Sequence, residues 1–65
     1  MTAPKYPEVK VKLTSSNAFS IVERVVKALE KAGIEYAEIE KFYDEVYSGD
    51  YDHLLKVVMD WVKVE

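Results

Sequence analysis

Polar and apolar positions alternate strictly along Glu8-Val9-Lys10-Val11-Lys12-Leu13. That period of two puts Val9, Val11 and Leu13 on one side of an extended chain and the charged residues on the other, so it predicts a strand. From Ala18 the period changes. Ala18, Ile21, Val22, Val25, Val26, Leu29 and Ala32 recur at three- and four-residue spacing and predict a helix over Ala18–Ala32. Asn17 stands where its side-chain oxygen can take an orphaned N–H of the first turn, and Gly33 where a left-handed residue ends the last turn. Ile34 is then placed to fold back onto that turn.

Ile39, Phe42, Tyr43, Val46 and Tyr47 predict a second helix over Tyr36–Tyr47, closed by Ser48-Gly49. Asp50 is the expected cap of a third helix over Tyr51–Asp60, with Tyr51, Leu54, Leu55, Val58 and Trp61 as its apolar stripe. Alternation returns in Val62-Lys63-Val64-Glu65, a short strand able to pair with the first. The expected fold is therefore a compact α+β domain ordered β-α-α-α-β, with three helices on one face of a two-stranded sheet. If each element simply reverses direction, the two strands run parallel. A three-helix bundle with extended termini is the alternative. Pro4 and Pro7 disfavour regular structure, so residues 1–7 are expected to form a flexible arm before a single domain spanning 8–65.

Length sharpens this picture. Sixty-five residues make one domain at most, near the lower limit for a chain that must bury a core. The chain has no cysteine, so neither disulfides nor thiolate metal sites supplement packing, as expected of a cytoplasmic protein. The N-terminal residues lack the apolar run of a signal peptide, and no segment is apolar enough to span a bilayer. A net charge of −3 argues against a general polyanion binder. The absence of Gln, with one Asn and abundant Glu, Lys, Val and Tyr, resembles proteins from hot environments.

The candidate chemistry concentrates in Ser48-Gly49-Asp50-Tyr51-Asp52-His53-Leu54-Leu55. Asp50, Asp52 and His53 form a set that a divalent cation accepts. Yet a capping Asp50 is already committed to backbone N–H groups, and acids at a helix start are favoured by the dipole without any ligand. Asp52 is spaced to pair with Lys56, as Glu23 is with Lys27. His53 falls on the wet side with Lys56, Asp60 and Lys63. Ser15, Ser16, Ser20 and Ser48 supply hydroxyls, but no nucleophile motif or phosphate loop surrounds them. So short a chain also leaves little room for a ligand cavity of roughly 300 Å³ or more. The expectation is a non-enzymatic protein with no cofactor and no metal.

Two surfaces carry a binding alternative. Lys10 and Lys12 share the outward side of the first strand, and Lys63 joins them if the terminal strand pairs alongside. Such a face can track a nucleic-acid backbone, although Glu8 and Glu65 dilute it. Tyr43 and Tyr47 lie one turn apart on the second helix, two turns beyond Tyr36, and aromatics of this kind anchor protein interfaces. Phe19, Phe42, Tyr51 and Trp61 are expected in the core. A hydrophobic fraction of 49% exceeds what so small a unit readily hides, which favours homodimerisation through sheet edges or the second helix.

Val9-Lys10-Val11-Lys12-Leu13, Asn17-Ala18-Phe19, Lys31-Ala32-Gly33, Ser48 to Leu55 and Trp61-Val62-Lys63-Val64-Glu65 together resemble a group of short bacterial, phage and mobile-element proteins. Ser15-Ser16 departs from the Gly or Asp often seen before the Asn-Ala-Phe start. The resemblance implies a small accessory protein and transfers no activity, cofactor or site residue. The expected function is that of an interaction or regulatory protein binding another macromolecule, with self-association, and nucleic-acid binding through Lys10, Lys12 and Lys63 as the alternative.

Overall fold

The structure, a computed structural model, describes residues 3–65. Its elements are β1 (Tyr6–Val11), α1 (Ala18–Lys31), α2 (Tyr36–Val46), α3 (Tyr51–Trp61) and β2 (Val62–Val64), the β-α-α-α-β order that the periodicity predicts. The strands pair in parallel, with Tyr6 opposite Val62, Lys10 opposite Lys63 and Val11 opposite Val64. Val9, Val11 and Val62 are buried while Glu8, Lys10 and Lys63 are exposed, so the helices cover one face of the sheet and leave the other bare.

Part of the expected arm, residues 1 and 2, lies outside the described residues. Residues 5–7, within the same expected arm, are tied to the fold. Lys5 N–H donates to the Asp60 carbonyl at 2.8 Å, and β1 begins at Tyr6. Pro7 is accommodated because the ladder is irregular between Tyr6 and Lys10, where a missing N–H leaves no bond unmade. The same irregularity turns Tyr6 to the core side three residues before Val9, and its ring packs 5.8 Å from that of Trp61. At its other end β1 stops at Val11, short of the expected Leu13. β2 runs out at Val64, and the Glu65 N–H to Val11 carbonyl bond, 2.8 Å, is the last rung.

The caps form as their side chains dictate. Asn17 Oδ1 accepts from the Phe19 and Ser20 N–H groups, and Asp50 Oδ1 from the His53 N–H. Gly33, at φ 82°, closes α1: its N–H reaches the Glu30 carbonyl and the Ile34 N–H reaches Leu29, both at 3.0 Å. This paired arrangement satisfies two carbonyls that the helix end leaves open. Glu35 opens α2 without a side-chain cap. Fully buried Phe42, Leu29, Val22, Val25, Val46, Val58 and Val62 fill the centre, and Phe42 meets Trp61 edge-on at 5.3 Å. No helix among the described residues is long and apolar enough to cross a membrane.

Candidate functional site

The Ser48–Leu55 stretch forms the α2–α3 junction. Asp50 caps α3, and the backbone turn brings the His53 ring back over the end of α2. There Nε2 lies 2.9 Å from the Glu45 carbonyl oxygen and 3.0 Å from Ser48 Oγ. Ser48 Oγ itself donates to the same carbonyl at 2.8 Å. A carbonyl oxygen only accepts, so Nε2 carries a proton and donates toward it, with the serine oxygen sharing that proton. The hydroxyl hydrogen is thus turned away from the imidazole. This is a helix-end closure and not a nucleophile–base pair. His53, placed on the wet side by helical spacing, is half-buried and finds its partners on the preceding helix end.

Gly49 belongs to the same closure. It does not have a positive φ; a Cβ there would stand 2.7 Å from His53 Cγ and 2.8 Å from its Cβ. Space for the ring, rather than left-handed backbone, is what requires glycine. Asp50, Asp52 and His53 do not converge: among the described residues no group of three acidic, histidine or cysteine side chains is arranged to hold a metal. Nor do Asp52–Lys56 or Glu23–Lys27 come within ion-pair distance. The ion pairs among the described residues both involve Glu38.

Glu38 is the centre of a cluster that sequence reading missed. Its Oε2 accepts from Lys5 Nζ at 2.7 Å and Tyr6 Oη at 3.0 Å, and Oε1 accepts from Lys41 at 3.3 Å. Lys5, then Tyr6, then Lys41 hold its carboxyl down at about 2, against partial desolvation, which acts the other way. The hydrogen bond to Glu38 raises the Lys5 ammonium, whose Nζ also lies 4.3 Å from the Trp61 ring centroid. Lys5 and Glu38 are 33 residues apart, and no spacing rule connects them.

An open cleft of about 580 Å³ lies beside the start of α1, lined by Leu13, Thr14, Ser15, Ser20, Ile21, Glu23, Arg24 and Lys27. It is larger than the length of the chain suggests, because it is a surface depression under the β1–α1 loop and not space within the core. His53 is not among its lining residues.

Lys10 and Lys63 face each other across the strands on the bare side of the sheet. Lys12 follows in the loop after β1 and is exposed. The aromatic residues form the more extensive surface. Tyr43 and Tyr47 lie one turn apart with ring centroids 6.3 Å apart and planes 12° from parallel. Phe19 joins them, 6.4 Å from Tyr47. Phe19 is 72% exposed, Tyr47 50% and Tyr43 37%. This overturns the expectation that Phe19 is a core residue: from the first turn of α1 its ring meets the exposed Tyr47 at the end of α2 and stays outside the cluster that buries Val22 and Val26. Tyr51, likewise expected in the core, is exposed, because its hydroxyl reaches out to donate to the Ser16 carbonyl at 2.7 Å, tying the β1–α1 loop to α3. Comparison with family models, with curated proteins and with solved structures returned no match.

Proposed function

We propose that this chain is a small non-enzymatic binding domain that acts by contacting another protein, self-association included, through the face formed by Phe19, Tyr43 and Tyr47. The observation that carries this reading is a continuous run of three exposed rings, with Tyr47 beside both Phe19 and Tyr43. Aromatic side chains with two torsions each lose little freedom on docking and are the residues on which binding energy concentrates. The core does not depend on their outer surfaces, since Phe42 and Trp61 fill it. The non-enzymatic reading rests on the imidazole, whose Nε2–H is spent on a helix-end carbonyl. A cytoplasmic setting fits a chain without cysteine.

A photoreactive phenylalanine analogue placed at Tyr47 is the test, with the same group at Glu30 on the wet side of α1 as reference. Discrete cross-linked products in the native cell from position 47, and none from 30, support the reading. Position 47 yielding nothing sinks it. Light scattering over a wide concentration range then says whether the partner is a second copy.

A second reading is favoured by one observation, the direct opposition of Lys10 and Lys63. Like charges opposite one another on adjacent strands are destabilising, and a phosphate backbone lying across the bare sheet face would neutralise both. Oligonucleotide binding that falls steeply with salt and is lost in K10E/K12E supports this reading. No binding at low salt removes it.

A further inference from the structure

One flank of α2 and its C-cap carries Tyr36, Glu40, Tyr43 and Tyr47 at four-, three- and four-residue spacing, with Asp44 four residues after Glu40, and all five are exposed. The Tyr43 and Tyr47 rings stack 12° from parallel with exposed outer surfaces, and Tyr36, 70% exposed, lies two turns before them. Glu40 and Asp44 share this flank and have no ion-pair partner among the described residues. They repel one another at i, i+4 spacing. Asp44 also sits near the negative end of the helix dipole, and the last turn holds no basic residue to offset it. Elsewhere in the fold a cation is held by a carboxylate and a ring together: Lys5 Nζ is 2.7 Å from Glu38 of α2 and 4.3 Å from the ring centroid of Trp61 of α3.

We infer that the Tyr36–Tyr47 flank of α2 docks an arginine- or lysine-bearing segment of a partner protein. The cationic head seats against the Tyr43–Tyr47 rings and pairs with Glu40 or Asp44, and its aliphatic stem covers the tyrosine faces. The inference rests on the reading of the aromatic face as the contact surface and adds the partner's chemistry.

The test is an amide-resolved NMR titration of the full chain with an arginine octapeptide, and with a glutamate octapeptide as control. Saturable shifts confined to α2 and the start of α1, with the arginine peptide alone, are expected. Replacing both rings by leucine (Y43L/Y47L) preserves apolar bulk and should weaken binding about three- to tenfold, the loss of cation–π contact. E40K/D44K should abolish it. Absence of shifts overturns the inference, and so does unchanged affinity in Y43L/Y47L, which reduces binding to unspecific attraction between opposite charges. Self-association lost in K10E/K63E also overturns it, because the lysine face of a second copy would then be the occupant. Cross-linking at Tyr47 that persists while the arginine peptide fails to bind leaves the contact surface standing and removes only the cationic partner.

Discussion

The imidazole Nε2 of His53 lies 2.9 Å from the carbonyl oxygen of Glu45, joining the start of α3 to the end of α2 across eight residues. The Ser48 backbone N–H, the Ser48 hydroxyl and the imidazole all reach this carbonyl. Removing the imidazole leaves the first two in place, so H53A should cost about 1 kcal/mol, the net worth of one hydrogen bond. G49A should cost more, about 1–3 kcal/mol, because its Cβ collides with the base of the ring. Urea denaturation ranks the two variants, and a G49A as stable as the parent would refute the account of the junction.

Glycine at the end of α1 acts differently. At Gly33 a Cβ meets nothing within 4 Å, but φ is 82°. G33A should therefore cost about 1 kcal/mol through backbone strain alone, with the core unaltered. N17A and D50A should each cost about 1 kcal/mol as lost caps. Thermal melts of the three variants with near-native spectra are the check, and a loss of tertiary signal in any of them contradicts a local origin.

Acid should act through Glu38. Its folded-state value of about 2 lies below the ordinary 4.5, so its contribution to stability is fully present above about 4.5 and is lost as pH falls toward 2. In E38Q the denaturation midpoint should change less between pH 5 and pH 2 than in the parent. The Lys5 partner is raised, so its contribution persists below 10.5 and fades only as pH climbs through the higher folded value. Equal acid sensitivity of E38Q and parent would contradict this placement of Glu38.

The centre of the molecule tolerates little. Phe42 is fully buried against Trp61, and F42A should cost about 3–5 kcal/mol. A domain of this length commands only about 3–10 kcal/mol in total, at 0.05–0.15 per residue. F42A should therefore be largely unfolded at 37 °C by circular dichroism, while Y47A, which removes an exposed ring, should remain folded.

On the bare sheet face, K10E converts the Lys10–Lys63 opposition into an opposite-charge pair. It should stabilise the protein by about 0.2–1 kcal/mol, and the gain should shrink at high salt. An unchanged or lower melting temperature at low salt would mean that the two side chains do not interact.

Much of the architecture was legible in the chain because its causes act over a few residues. The period-two run at Val9–Val11, the apolar stripes, the Asn17 and Asp50 caps and the Gly33 closure each involve groups within one or two turns. The candidate surface was half legible. Tyr43 and Tyr47 announce themselves by spacing, whereas Phe19 is assigned to the core until its ring is seen against the exposed Tyr47 and outside the buried cluster. Helical spacing puts His53 on the wet side because it describes one helix at a time. Its partner belongs to the preceding one.

What the sequence by itself determined, then, is the identity and order of the elements and which face of each is apolar. Tertiary structure alone decided the irregularity at Pro7 that turns Tyr6 inward and the joining of Lys5 to Glu38 over 33 residues. It also decided the exposure of Phe19 and the use of Gly49 as space for an imidazole. The division has a physical basis. Caps and stripes depend on backbone geometry that any helix repeats, while these contacts depend on how separate elements share one core, and that is set by the packing of all of them together.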